Sequence, residues 1–369
     1  MDQAYRIAME TAAIGEKFIR PICTCIILLI LIYLASQFKK GGCSDAPSTA
    51  IKGIGSSDPK FQNALRDYYI KTSYNSCSTG EYQNDWVSLC ALENVIKQGC
   101  RCLDFEIYQV DGRAVVATSN STRVTEKGTY NSLSIDSVIK TIADKAISNS
   151  MDGGKECPNP SDPLFLHFRI KSAHVEVYDD IANAIKDHLG YKLLSNAHSY
   201  ENKGVNLGLE KLNTLLGKVI IIVDKVESNH IRDTKMDELT NMMGNSAFLH
   251  SLSFNDILYT PDMDEMIDYN KKNMTFGYPN LSHESKNAVN SQKIMDFGTH
   301  MVAMSFQSQD INLKIYTETF DKKGGGYAFM LKPKHLRYIP VTVEEPKTMD
   351  PELSYGYKTY ETNYYNFDL

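Results

Sequence analysis

The chain has 369 residues, enough for one large domain with appendages or two ordinary ones. Hydrophobic residues make up 42% and charged residues 23%, an ordinary globular composition that predicts a folded core over most of the length. The net charge of −6 excludes general nucleic-acid binding, which needs a basic face to release counterions from phosphates.

Residues 1–21 form a short N-terminal segment. From Ile22 to Phe38 the chain reads ICTCIILLILIYLASQF, uncharged, with Lys17 and Arg20 before it and Lys39 and Lys40 after it. A helix over this run would reach roughly 25 Å, a little short of the ~30 Å hydrocarbon core, and snorkelling basic flanks would make up the difference. A cleaved signal peptide has a shorter apolar stretch with a small-x-small site close behind. The run therefore predicts a single-pass transmembrane anchor in a virion, organelle or other membrane. Basic residues on both flanks leave its orientation open. Residues 39–58, rich in Gly, Ser and Ala, read as a flexible tether. The eight cysteines include no zinc-type C-x-x-C pair. Free buried thiols are expected, with a Cys77–Cys90 bridge as the alternative outside a reducing compartment.

The globular part spans 59–340. Short β-like runs occur at Tyr69–Ser73, Cys102–Tyr108, Ala114–Ala117, Leu164–Ile170, Lys218–Asp224, Ala247–Leu252, His300–Ser305 and Tyr327–Leu331. Helix-period stretches lie between them, among them Trp86–Lys97, Ile135–Ser148, Glu176–Leu189 and Val205–Leu216. Such alternation means a mainly parallel sheet wrapped by helices, either a TIM (β/α)8 barrel or a doubly wound open sheet. Residues 341–369 differ: proline-punctuated, acidic and Tyr-rich (Tyr355, Tyr357, Tyr360, Tyr364, Tyr365), they read as an extended tail able to dock a partner.

Four segments resemble the eukaryotic-type phosphoinositide-specific phospholipase C. IKTSYNS (Ile70–Ser76) is similar to the first catalytic box, and QGCRCLDFEIY (Gln98–Tyr108) to the Gly-Cys-Arg-Cys box with two acidic residues on one strand face. LFLHFRIKS (Leu164–Ser172) sits where the family has a strand bearing a third carboxylate. The stretch His300–Arg337 carries Met-Val-Ala, Gln-x-x-Asp, Gly-Gly-Tyr and Leu-Lys-Pro features in the family's order. The resemblance implies the TIM barrel, with an X-like half over 59–226 and a Y-like half over 246–340.

It also implies chemistry. In this family one histidine stabilises the pentacoordinate phosphorus and another protonates the leaving oxygen, while calcium held by an asparagine and carboxylates activates the inositol 2-hydroxyl. Position by position, the first histidine falls on Tyr74 and the second, in VVATSNS, on Thr118. Neither side chain is a proton shuttle at neutral pH. Asn75, Asp104 and Glu106 keep metal-type oxygens, but the third carboxylate falls on Arg169, which would pair with Asp104 or Glu106 and displace the ion. No metal or other cofactor is therefore expected. His167, two residues before Arg169 on the same strand face, reads as a barrel-interior histidine, with a relocated acid as the alternative. Lys218 and Lys225, flanking a hydrophobic strand, and Tyr278 are candidate phosphate or cleft contacts.

These residues predict a membrane-anchored, catalytically inactive barrel acting as a binding or structural module for a phosphoinositide headgroup or a protein. A second expectation is a structural component of a membrane-containing particle, such as a large DNA virus. A third is an active phosphodiesterase whose groups have rearranged, with Arg169 doing calcium's electrostatic work.

Overall fold

The computed structural model describes residues 19–34, 49–121, 126–147, 157–199, 206–224, 231–232, 234–280, 286–340 and 359–368, with single positions 3, 15, 17, 43 and 47. The chain divides into two units, residues 1–338 and 339–369.

Among the described residues the first unit contains eleven strands in one sheet. In chain order they are β1 (Tyr68–Ser73), β2 (Cys102–Val110), β3 (Arg113–Val116), β4 (Leu133–Ser134), β5 (Leu164–Ile170) and β6 (Val219–Val223). After these come β7 (Met242–Met243), β8 (Leu249–Ser253), β9 (Met274–Tyr278), β10 (Met301–Met304) and β11 (Phe329–Leu331). Strands β1, β2 and β5–β10 are parallel and follow one another in chain order round a near-closed barrel. Its ladder runs from β7 through β1 to β8. The barrel strands are buried on both faces: β5 and β6 are buried at every position, as covered parallel strands require.

Two of the predicted barrel strands are something else. Residues 113–116 fold back antiparallel on β2, and 329–331 run antiparallel along β1. Their places in the barrel belong to β7 and β9, which sequence periodicity did not single out. With two residues in β7 and a Thr and a Gly in β9, neither run carries a strong strand pattern. The predicted helix over 205–216 is also corrected. Its described part holds two 3-10 turns, Leu207–Leu209 and Leu212–Leu215, either side of a break. Gly208 and the Asn213-Thr214 pair are weak helix formers. The helices Leu89–Lys97, Ile135–Ile142 and Val175–Leu189 lie where the 3.6-residue period placed them. In the second of these Ile135, Val138, Ile139 and Ile142 make one buried stripe.

The N-terminal region departs from expectation in three ways. Residues 19–34 form a helix, about 24 Å long at 1.5 Å per residue, and no helix among the described residues is long and apolar enough to cross a membrane. The single-pass anchor read from Ile22 to Phe38 is corrected on that ground; residues 35–38 lie outside the described residues. The tether is ordered over 49–58. Ile51 and Ile54 are buried, Lys52 N donates to Gly326 O at 2.8 Å, and Ile54 N donates to Asp162 Oδ1 at 2.8 Å. Finally, Cys43 and Cys90 form a disulfide, whereas Cys77 is buried and free.

The Gly-Cys-Arg-Cys box works at the N-terminal end of the barrel. Gly99, at φ 75°, ends the helix Leu89–Lys97, and a Cβ there would meet Ile51 at 2.6 Å. Arg101 is 1% exposed and donates to the carbonyls of Ala146, Asp162 and Pro163 at 3.1, 2.9 and 3.3 Å. At the same end Lys332 donates to Asn270 O and Gly298 O, both at 3.0 Å, and its Nζ lies 2.8 Å from His300 Nε2. His300 accepts from Thr275 N through Nδ1, so its proton sits on Nε2, 2.7 Å from Arg66 O.

The second unit shows an antiparallel hairpin of β12 (Thr359–Glu361) and β13 (Asn366–Asp368), with Tyr360 stacked on Phe367 at 5.4 Å. The remainder of the predicted tail, 341–358, lies outside the described residues.

Burial holds the Lys332 ammonium down at about 7, against an ordinary 10.5, with Asp67 opposing the shift. Lys71 is lowered for the same reason. Between about 7 and 10.5 the unfolded chain therefore binds more protons than the native one, and stability rises with pH through that window. Above the ordinary thiol value of 9.0, burial of Cys77 and Cys100 reverses the sign, because both thiols are raised in the fold. Thermal melting of the full chain is expected to rise from pH 7 to 9. Lys332→Met is expected to flatten that rise, and an unchanged slope would show that another group carries it.

Candidate functional site

The C-terminal ends of β1, β2 and β5 bring most of the predicted site residues together. The register pairs Asp104 with His167 and Glu106 with Arg169, so all four side chains lie on one sheet face. That face is the barrel interior, since His167 stacks on Phe276 of β9, on the far side of the ring, with centroids 4.0 Å apart.

Arg169 is the centre. Its Nε donates to Asp104 Oδ1 at 3.0 Å, and its Nη2 donates to Asp104 Oδ2 at 2.8 Å and Asn75 Oδ1 at 2.7 Å. Its Nη1 lies 3.3 Å from Glu106 Oε1. The guanidinium also sits over the Tyr74 ring, 4.5 Å from its centroid. Asn75 adopts φ 44°, a left-handed conformation that asparagine tolerates better than most residues, and its backbone N donates to Asp104 Oδ2 at 2.9 Å.

Around this core, Glu106 Oε2 accepts from Ser119 N at 3.1 Å, and Lys171 Nζ lies 3.9 Å from Glu106 Oε1. His167 Nδ1 is 2.7 Å from Asp104 Oδ1, while its Nε2 is buried without a protein partner. Tyr74 packs edge-on against Tyr82, whose hydroxyl bonds Ser305 Oγ. Thr118 donates to Tyr82 O at 3.0 Å. Tyr74, Asn75, Glu106 and Arg169 are 4%, 2%, 3% and 8% exposed, so this end of the barrel is packed.

The charges divide unequally. Burial alone would raise the Asp104 carboxyl, but Arg169 and the His167 hydrogen bond outweigh it and hold that group below the carboxylate range. For Glu106 burial wins over Arg169 and Lys171, and its carboxyl is raised. Burial also works against the Arg169 charge, and Asp104, Tyr74 and Glu106 more than offset it. The Tyr74 phenol is pushed well above its ordinary value, chiefly by burial, which removes it further from proton exchange at neutral pH.

The other candidates lie apart. Lys218 precedes β6, at the N-terminal end of the barrel, where its carbonyl accepts from Leu164 N at 3.0 Å. Its assignment as a cleft contact is therefore corrected: a strand of β6's length separates it from the site end. Lys225 lies outside the described residues. Tyr278 ends β9 at the site end, half-buried, its phenol raised by burial and then by Asp224. Tyr82 was missed in the sequence, where it stands in a loop without periodic signal.

The residues do not fit calcium. Asn75 Oδ1, both Asp104 oxygens and Glu106 Oε1 all face one guanidinium. A dication among them would meet that charge at close range, a repulsion of several kcal/mol even at an effective dielectric of about 20. Among the described residues no group of three His, Cys, Asp or Glu side chains could hold a metal ion.

A parallel eight-strand barrel with a polar cluster at its C-terminal strand ends is a TIM barrel of the phospholipase C-like phosphodiesterase type. Residues 61–225 match the phosphatidylinositol-specific phospholipase C X domain and residues 216–335 match its Y domain, and the chain belongs to that family. Among solved structures it is similar to PLC21 of S. officinalis, at 21% identity and a TM-score of 0.61, over 79% of this chain and 39% of that one. It is likewise similar to PLC21 of L. pealei, at 20% identity and a TM-score of 0.59, over 75% of this chain and 38% of that one. The chain thus spans about two fifths of the length of those proteins. No curated protein matches it at a significant level.

Removing Arg169 would take the principal counter-charge from two buried carboxylates. Arg169→Ala is expected to cost about 3–5 kcal/mol in the unfolding of the full chain. Millimolar calcium is expected to raise the melting temperature of this variant and to leave the wild type unmoved. Equal calcium responses in the two proteins would refute the displacement of the metal by the guanidinium.

Proposed function

We propose that this chain is a catalytically inactive phospholipase C barrel that works by binding. One observation carries the reading. The oxygens of Asn75, Asp104 and Glu106, which the family resemblance assigns to calcium, are engaged by the chain's own Arg169. Two further facts support it. The positions on which the resemblance places the family's histidines hold Tyr74, under the guanidinium, and Thr118, hydrogen-bonded to the Tyr82 carbonyl. Neither can protonate a leaving alkoxide at neutral pH.

The active alternative would need His167 as the acid. That imidazole is fully buried, held by Asp104 on one nitrogen and stacked on Phe276, so it has no route to a phosphodiester outside the barrel. Arg169 in turn has its donors committed to three side chains, and using them on a phosphate would strip the buried carboxylates of their partner. Loss of activity need not disturb the fold, because the core layers of a barrel are built independently of its site end.

The test is inositol phosphate release from phosphatidylinositol micelles by the full chain, with and without calcium, beside an active phospholipase C. Background turnover in both conditions is expected. Release above background would overturn the proposal, and its calcium dependence would tell whether Arg169 gives way to a metal.

A further inference from the structure

Next to the Arg169 cluster lies a cavity of about 270 Å³. It is bounded by the loop after β1, the helix Leu89–Lys97 and the loop after β10, with the disulfide-held Cys43 on its rim. Its size is near the lower end of small-molecule sites.

Two properties define what it could take. First, among its described lining residues there is no carboxylate, ammonium, guanidinium or imidazole. An anionic or cationic ligand would lose its hydration there without a counter-charge, so an uncharged one is favoured. Second, the buried amide nitrogen of the lining residue Asn75 has no protein partner, and that of Gln307, which reaches the Tyr82 hydroxyl, keeps a second N–H for a ligand. For Asn75 the orientation is fixed, because its oxygen accepts from Arg169, which can only donate. Its NH2 group is therefore held as an unused donor on a residue only 2% exposed. Leaving such donors unpaired is costly, and an oxygen of a bound molecule would relieve them. The rings of Tyr74 and Phe306 add flat apolar surface, which suits the C–H face of a saturated ring.

We propose that this cavity binds an uncharged, polyhydroxylated small molecule of about monosaccharide size, with the Asn75 and Gln307 amides donating to its hydroxyl oxygens. The assignment deepens the binding-module reading by naming a ligand class, and it rests on that reading only in treating the chain as a binder. The polyol hydroxyls are weak enough acids to stay neutral, and their oxygens accept while their hydrogens remain available to lining amide and hydroxyl oxygens, Gln98 and Ser78 among them.

Saturation-transfer NMR and titration on the full chain would test it, with glucose and myo-inositol as neutral probes and glucose 6-phosphate and inositol 1-phosphate as charged ones. The neutral probes are expected to bind at least ten-fold more tightly than their phosphates. Gln307→Leu is expected to lose at least ten-fold in neutral-probe affinity while remaining folded. Absence of binding by every neutral probe, or equal or tighter binding of the phosphates, overturns the proposal in the wild type alone, whatever becomes of the variant. Full affinity in a folded Gln307→Leu also overturns it. Phosphatidylinositol turnover is read on the same preparation. Turnover defeats the inactive-barrel reading, whereas background turnover without polyol binding defeats only the pocket.

Discussion

One guanidinium organises the C-terminal end of this barrel. Arg169, on β5, reaches the loop after β1 through Asn75 and the neighbouring strand β2 through Asp104 and Glu106, so three consecutive elements close on a single cation. The arrangement holds because its charges nearly cancel: Asp104 and Glu106 face Arg169 and, at longer range, Lys171. Its partition is uneven. Asp104 has both oxygens in short hydrogen bonds and keeps its charge easily, whereas Glu106 shares weaker contacts and is raised by burial. The left-handed backbone at Asn75 belongs to the same constraint, since it lets the residue offer its amide N–H to Asp104 and its side-chain oxygen to Arg169. Tyr74 then packs against the guanidinium and Tyr82 against Tyr74, and Ser305 ties that stack to the end of β10.

The opposite end uses a different device. Arg101 and Lys332 are as buried as Arg169, yet their hydrogen-bond partners are mostly backbone carbonyls. Carbonyl dipoles stabilise an ammonium less than a carboxylate does, and Lys332 is accordingly driven toward neutrality while Arg169 is driven toward permanent charge. The pairing of His300 with Lys332 follows, because a neutral imidazole and a near-neutral amine can share a dry space that two cations could not. The two ends are thus held by separate sets of partners, carboxylates at one and carbonyls at the other.

Much of this was readable in the sequence, for identifiable reasons. The long apolar runs at 102–108 and 164–170 are strands because nothing else buries such a pattern on both faces, and period-two spacing put Asp104, Glu106, His167 and Arg169 on one side. The expected pairing of Arg169 with either carboxylate follows from the cost of leaving an arginine bare in a barrel; the structure sets it against both. What could not be read is pairing direction. Residues 113–116 and 329–331 look like any other strand, and only tertiary contact decides that they run antiparallel. Strand β7, two residues long, is below any periodic signal. Lys218 was misplaced because hydropathy marks a strand without saying which end faces the site. The apolar N-terminal run misled for a related reason: composition measures how oily a segment is, while crossing a bilayer also demands length, and no helix among the described residues is long and apolar enough. The Cys43–Cys90 pairing depends on how residues 49–58 lie over the barrel, which glycine- and serine-rich composition had suggested was loose.

A cation that belongs to the chain responds to its surroundings differently from a bound ion. A bound ion equilibrates with its surroundings, so a calcium-dependent barrel has two states set by concentration. A guanidinium tethered on β5 has no dissociated state short of local unfolding, and its burial among Asp104, Glu106 and Tyr74 raises the cost of that opening. The site end is therefore fixed in one arrangement, with its strongest electrostatic interactions satisfied internally. What the site leaves over is the directional hydrogen bonding of uncharged groups, and one of them, the Asn75 amide, is oriented by that same cation through its oxygen.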